Sequence, residues 1–563
     1  MNSFHRALLT VGALACLPAP GFAESAAVPR LDWGACSESW VGRGSGTLGT
    51  RLQCATMRVP LDHVRPDGRE ISVGVIRIRA ALAAWREGSL FFNKGGPGTH
   101  PGPLLRSMGE VWSRLDANDP GGRDKRQLAE RYDLIAVIPR GLAGSGDMRC
   151  GTVPQRASAF LPSHQDDANW RLIVDDAEAL VEACTASDQA RYVNTEQHAH
   201  DMDWVRRALG DERLNFYGIS YGGMVGAWYA SIYPAHTGRL LLDSSMDIMH
   251  GYRAATDLLL AARNRAFQEN VVAPLLRDPV AHGLGRDPDA IATAIAAFPS
   301  WAREAWVEQL TTVPRLAAAL RLVGWAGNSQ PQHPGELIRF INREWFSSDP
   351  ALNRSIRREA DSLVRSLFYA AAGEPSSQGD AASFFVRLAV ACNDVAWPRS
   401  DADIRESARR NIARYFNFTG EETFEELACS RWGGPSARRP DLAALGRAAP
   451  FLLIQSEKDT STPLQGAQHI LDGFPNARML LVRRSDQHGV FNFTTSPCIE
   501  RTAAHYLLTG ELPATPSRSF TCSDAFDNPV NALPGTPALV AEPTPVNATL
   551  PGTAPAPVHH DEL

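Results

Sequence analysis

The sequence predicts an α/β fold: a mostly parallel central sheet flanked by helices and interrupted late in the chain by a large helical insertion. Three observations carry this. Short apolar runs that end in Gly, Pro, Asp or Ser recur through the first half of the chain. Helix-period stretches such as Asp201 to Leu209 lie between several of them. Strand-like text then stops after Asp243 and resumes at Phe451. Strands alternating with helices argue a parallel sheet covered on both faces, because each crossover has to pass over the sheet.

The elements follow in order. Met57 to Leu61 and Ile71 to Val75 flank the turn text Arg65-Pro66-Asp67-Gly68, which predicts an opening hairpin. Further strands are predicted at Ser89 to Asn93, Leu134 to Ile138, Leu214 to Tyr217 and Arg239 to Leu242. Helical spacing then takes over at Ala255 to Ala262, Ala290 to Phe298, Leu316 to Trp325, Leu337 to Trp345, Ala360 to Ala371 and Ile404 to Tyr415. Phe451 to Ile454 and Met479 to Val482 complete the sheet. The expected organisation is a core in two parts, 24–250 and 441–526, with a helical cap at 251–440 between them. The stretch 527–563, rich in Pro, Ala, Thr, Val and Asn, has no means of forming a packed element and is expected to be a flexible tail.

At 563 residues the chain is long enough to bury a large core. Its 56 Lys+Arg against 62 Asp+Glu give a formal charge of -6 without long runs of one sign, so nothing points to nucleic acid. Residues 1–23 read as an export signal: a weakly basic start at His5 and Arg6, an apolar core from Ala7 to Leu17, and a small-residue cleavage site at Gly21-Phe22-Ala23. Pro18, Pro20 and Gly21 would break a core helix there. Cys16 sits in an imperfect lipobox, and no later apolar run is long enough to cross a bilayer. The protein is therefore expected in the periplasm or outside the cell. The terminal His560-Asp561-Glu562-Leu563 matches a retrieval signal for the endoplasmic-reticulum lumen, meaningful only in a eukaryotic host.

Loss of the signal leaves an even set of cysteines, which suits an oxidising compartment. The simplest of many pairings joins sequence neighbours: Cys36 with Cys54, Cys150 with Cys184, Cys392 with Cys429 and Cys498 with Cys522. No two stand at the short spacing of zinc sites, and His559 with His560 are too few to argue another metal site.

The chemistry centres on Gly218-Ile219-Ser220-Tyr221-Gly222, a G-x-S-x-G sequence with a predicted strand before it and a helix, Met224 to Ala230, after it. In that context the serine is forced into a strained, exposed turn, and the glycines avoid clashes at its flanks. A serine hydroxyl needs an imidazole to take its proton and a carboxylate to orient that imidazole. Asp459 follows the strand at Phe451, and His488 follows the strand at Met479, giving the order Ser, Asp, His. Asp243, at the end of the strand after the nucleophile helix, is the main rival acid; Asp486 is too close in sequence to face the ring. His469, His250, His198, His200 and His100 lack the required strand-end place and are assigned surface or structural hydrogen bonds. Backbone N–H groups of Tyr221 and of Gly96, in the loop Asn93-Lys94-Gly95-Gly96-Pro97-Gly98, are expected to hold the developing oxyanion.

Four blocks bring a family into view: Lys94 to Gly98, Ile138-Pro139-Arg140-Gly141 with Gly144-Ser145-Gly146, the Gly218 to Gly223 elbow, and Asp459 to Pro463 with His488-Gly489. Through them the chain to about Cys522 resembles the secreted tripeptidyl aminopeptidase and prolyl aminopeptidase-like α/β-hydrolases. The resemblance implies a cap between the sixth and seventh strands, cleavage near a free peptide N-terminus, and no cofactor. It also implies an acidic group in the cap that captures the substrate ammonium, for which Asp394 is the candidate, with a helix cap or a surface carboxylate as the alternative. The chain departs from the family pattern at Lys94 for Pro, Ile138 for Asp, and Ser244 for the Gly that usually follows Asp243. The expected activity is a serine exopeptidase acting on peptides. A carboxylesterase or small-amide hydrolase with the same triad is the second reading, and a non-catalytic binding module the third.

Overall fold

The computed structural model describes residues 30–522 except 45, 151–159, 161–163, 278–286, 370–377, 398–399, 417, 419 and 495. The expected signal at 1–23 and the tail at 527–563, with its His-Asp-Glu-Leu end, lie outside the described residues.

The strands are β1 (Leu52–Pro60), β2 (Glu70–Ile78), β3 (Gly88–Asn93), β4 (Tyr132–Val137), β5 (Leu214–Ile219), β6 (Thr237–Asp243), β7 (Phe451–Ser456), β8 (Ala477–Val482) and β9 (Ser519–Thr521). They form one sheet in the order β1-β2-β4-β3-β5-β6-β7-β8-β9. The β1–β2 and β2–β4 pairs are antiparallel, and every pair from β4–β3 through β8–β9 is parallel. Burial follows from position. Edge strand β1 buries Met57 and Val59 while Thr56 and Arg58 face water. In β4 and β7 every residue is buried, as a parallel strand covered on both faces requires. The predicted runs fall inside these strands, except that Leu61 and Ile138 lie just past the ends of β1 and β4. β9 is the strand missed from sequence. Three residues, Ser519-Phe520-Thr521, carry no readable alternation, and they become a strand by pairing with β8.

Helices between Tyr252 and Arg447 separate β6 from β7. Their starts are locally encoded: Thr312 and Ser400 accept hydrogen bonds from N–H groups of the first turns they precede. The insertion divides by packing. Phe267, Trp306, Leu316, Leu337 and Leu363 belong to an apolar core of its own. Val386, Leu388, Cys392 and Cys429 instead join the core beneath the sheet. A third cluster couples Leu260, Ile404 and Leu427 to Phe160, Trp170 and Ile173.

All four neighbour pairs of cysteines lie at disulfide distance: Cys36–Cys54, Cys150–Cys184, Cys392–Cys429 and Cys498–Cys522. The third ties helix Gln378–Asp394 to helix Glu421–Arg431, and the fourth ties helix Pro497–Thr509 to the segment just after β9. No described helix is long and apolar enough to cross a membrane.

Candidate active site

Ser220 stands where β5 turns into helix Tyr221–Ile232, with φ 60° and ψ −124°. A non-glycine residue is strained there, and the surroundings explain what holds it. A Cβ on Gly218 would lie 2.4 Å from Gly222 O, and one on Gly222 would lie 2.4 Å from Asn93 O. A Cβ on Gly95 would meet Ile219 O at 2.4 Å and Ser220 Cβ at 3.0 Å. Three glycines therefore let β5, its helix and the loop after β3 meet at contact distance. The Ser220 N–H donates to Asp243 O at 3.0 Å, and Ser220 O accepts from Gly223 N and Met246 N.

Two more strand ends carry the other two candidate residues. Asp459, in the loop after β7, is buried, and its Oδ2 lies 2.9 Å from His488 Nδ1 in the loop after β8. Asp459 Oδ1 accepts from Ser461 N at 2.8 Å and Thr462 N at 3.0 Å, so the carboxylate is oriented before it meets the ring. The Thr462 hydroxyl lies 3.0 Å from Asp459 Oδ2, 3.2 Å from His488 Nδ1 and 2.7 Å from Ser244 O. Burial opposes charge on His488, but the Asp459 charge and hydrogen bond, helped by Asp243, outweigh it and raise the imidazole pKa above its ordinary value. Among the described residues Ser220 Oγ makes no hydrogen bond, to His488 included. In free hydrolases such contacts are often long and tighten with substrate.

Asp243, the rival acid, does a different job. Fully buried at the end of β6, it accepts from Val490 N at 2.9 Å, Phe491 N at 2.8 Å and the Tyr217 hydroxyl at 3.1 Å. It grips the backbone of the loop that carries His488 rather than the ring. Burial raises its own pKa against the pull of those donors. Ser244, next in sequence, has φ 50° where a glycine would be unstrained, yet its Oγ accepts from Gly489 N at 2.9 Å. Ser244 thus adds a second tie between the end of β6 and the His488 loop.

The loop after β3 is set by Asn93. Its Oδ1 accepts from Gly95 N at 2.8 Å, and its amide nitrogen lies 3.2 Å from His198 Nε2. With the Gly95 N–H occupied, Gly96 carries the next N–H of the loop. Among the described residues neither the Gly96 nor the Tyr221 N–H has an acceptor. Tyr221 follows Ser220 directly, and a Cβ on Gly95, the neighbour of Gly96, would lie 3.0 Å from Ser220 Cβ, so both N–H groups belong to segments packed against the serine.

Asp394 is buried at the end of helix Gln378–Asp394. Its Oδ1 accepts from Thr195 N at 3.0 Å and its Oδ2 from the Thr195 hydroxyl at 2.5 Å; that hydroxyl also contacts the Tyr221 hydroxyl. It caps the start of helix Thr195–Leu209 from a distant part of the chain, and burial pushes its pKa up to about 7. It also lines a small cavity with Tyr221, Trp228, Met246 and Tyr252. Sequence reasoning missed Glu425. This buried carboxyl has an unpartnered Oε1, hydrogen-bonds Tyr252 and is likewise pushed up to about 7, chiefly by burial. Its sign in the sequence is an acid set among Phe424, Leu427 and Ala428.

The remaining blocks are structural. Buried Arg140 clamps Asp201 through two hydrogen bonds of 2.7 and 2.8 Å and donates to Pro60 O and Leu61 O. Ser145 joins Gly74 N to Ile138 O. His100 lies 3.2 Å from Ala143 O, and His200 lies 2.5 Å from the Tyr233 hydroxyl. Buried His198 has its pKa lowered to about 4, mainly by desolvation.

Residues 416–522, which include Asp459 and His488, match the family described as TAP-like protein. Over 522 residues the chain is 28% identical to a tripeptidyl aminopeptidase of Streptomyces coelicolor, covering 89% of this chain and 87% of that one. It is 26% identical over 550 residues to serine protease Hip1 of Mycobacterium tuberculosis, covering 90% and 94%. It is also 26% identical over 532 residues to a carboxylesterase B of the same organism, covering 87% and 90%. A parallel sheet entered by an antiparallel hairpin, with a serine elbow at its centre, agrees with this likeness: the chain is a serine hydrolase of the α/β-hydrolase fold, similar along most of its length to tripeptidyl aminopeptidase.

Proposed function

We propose that this chain is an exported serine exopeptidase that releases short N-terminal pieces from peptides through an acyl-enzyme on Ser220. The observation that carries the reading is the His488–Asp459 contact of 2.9 Å in the loops beside a serine held at φ 60°. With Nδ1 turned to Asp459, the Nε2 of His488 is left for the Ser220 hydroxyl. As Ser220 Oγ attacks the scissile carbonyl carbon, its proton passes to Nε2. The carbonyl oxygen, now negative, takes the Gly96 and Tyr221 N–H bonds. Collapse breaks the C–N bond, and the leaving amine departs with the proton from Nε2. Water then attacks the ester, His488 takes its proton and returns it to Ser220 Oγ, and the N-terminal piece leaves as a carboxylic acid.

In this reading the helices of 251–440 form the cap, and Asp394 takes the substrate's ammonium. A carboxyl pushed up to about 7 by burial gains most from an incoming positive charge. Four cysteine pairs at disulfide distance favour the periplasm or the exterior. The bacterial relatives lend no support to retrieval to a eukaryotic lumen. Likeness to a carboxylesterase keeps ester hydrolysis as the second reading, since both reactions use the same nucleophile and oxyanion donors.

The test exposes the protein and its Ser220→Ala variant to a fluorophosphonate probe, then to tripeptidyl and aminoacyl anilides beside short-chain esters. Labelling of the wild type alone, with turnover of anilides that carry a free N-terminus, is the expected result. No labelling overturns the enzyme reading, and ester turnover without anilide turnover makes the chain an esterase.

A further inference from the structure

Outside the serine site, three residues from two separate segments meet around one carboxylate oxygen. Asp247 follows β6, His250 follows it by three residues, and His469 lies on helix Leu464–Gly473. Both Nδ1 atoms, of His250 and of His469, lie 2.7 Å from the same atom, Asp247 Oδ2. The imidazole rings are edge to face with centroids 4.7 Å apart, and one ligand atom from each residue lies within 4.8 Å of the others. We propose that Asp247, His250 and His469 form a site for one divalent cation of the zinc class, with water completing the shell.

The donor set fits that ion. Two imidazoles and a carboxylate suit zinc and its first-row neighbours better than calcium or magnesium, which prefer all-oxygen shells. In a tetrahedral site with bonds of about 2.0–2.2 Å, ligand atoms stand roughly 3.3 Å apart. Each Nδ1–Oδ2 separation, 2.7 Å here, therefore opens by about 0.6 Å on binding. The carboxylate is already held in place: its other oxygen accepts from Met249 N at 2.9 Å and His250 N at 3.3 Å. Gly466 lets the helix approach, because a Cβ there would lie 3.2 Å from Asp247 Cβ, and His469 follows one turn later on the same face.

Access and hydration fit as well. The Asp247 side chain is 1% exposed, His469 32% and His250 55%, which leaves one open side for water. His469 also lines a cleft of about 910 Å³ between helices Tyr252–Phe267 and Leu464–Gly473. Binding requires each imidazole to present its Nδ1 lone pair to the metal and to carry its proton on Nε2. The ion would fasten the segment entering the helical insertion to the helix that follows the Asp459 loop. The proposal does not depend on the serine chemistry.

Chelator-treated full-length protein is titrated with Zn²⁺ by calorimetry and with Co²⁺ by visible absorption, beside His250→Ala, His469→Ala and the double variant. Asp247 stays unchanged, because its backbone contacts would confuse folding with binding. The wild type is expected to bind one equivalent, with the intense visible bands of a four-coordinate Co²⁺ site. Each single variant binds at least about tenfold more weakly, the double variant loses binding, and fluorophosphonate labelling stays as in the wild type. Absence of saturable binding overturns the proposal. So does one equivalent retained by the double variant, which would place the ion elsewhere, at His559 and His560 for instance.

Discussion

Replacing Asp243 by Asn separates an acid that orients His488 from an anchor that holds its loop. The carboxylate accepts from Val490 N, Phe491 N and the Tyr217 hydroxyl in a fully buried place. An Asn offers one carbonyl oxygen, so one of the two backbone N–H groups is left facing an amide NH₂. Losing one hydrogen bond to a buried charged acceptor costs roughly 1.5–3 kcal/mol of stability. Displacing His488 by about 1 Å costs turnover on the order of 100-fold. Asp459→Asn has the opposite balance. Its amide offers no negative charge to His488 and permits the wrong tautomer, so kcat falls by about 10⁴-fold while the loop stays where it is. Urea unfolding and anilide turnover, measured for both variants, decide between the two jobs. The assignment is refuted if Asp243→Asn loses as much turnover as Asp459→Asn at unchanged stability, which would make Asp243 the acid.

Three further outcomes follow from the site. Because Asp459 raises the His488 pKa and the base has to be neutral, kcat/KM should fall as pH drops through a midpoint above 6.5; Asp459→Asn should move that midpoint down, and an unmoved limb would assign it to another group. Ser244→Ala keeps the residue at φ 50° but removes the acceptor for Gly489 N, so it should cost about 1–2 kcal/mol in urea unfolding. Ser244→Gly, which relieves the backbone, should cost less; equal costs would mean the positive φ carries no strain. Gly95→Ala places a Cβ 2.4 Å from Ile219 O and should abolish fluorophosphonate labelling while four-fifths or more of the helical circular dichroism is retained, roughly; full labelling would show that the loop after β3 is not pressed against the elbow.

Much of this layout was legible because it is local. A buried parallel strand is a short apolar run, and a serine elbow needs small residues at fixed offsets, so Leu214 to Gly222 announce themselves. The cysteine neighbours pair as written because short loops close cheaply. What stayed hidden depends on contacts between distant segments. β9 exists through its pairing with β8. Glu425 gains its raised pKa from burial that its own helix does not advertise. Asp394 was legible as an acid worth naming, but its grip on Thr195 joins residues from opposite sides of β6.

By itself the sequence determined the fold class and named Ser220, Asp459 and His488 as candidates in that order, because each rests on spacing and on the steric demands of single residues. The tertiary structure alone decided which carboxylate faces His488, that Asp243 and Ser244 hold the His488 loop, and that two histidines share the Asp247 oxygen. Those are facts of proximity between strand ends and helices far apart in the chain. Hydrogen bonds reach about 3 Å whatever the sequence separation, so only folding selects among the candidates.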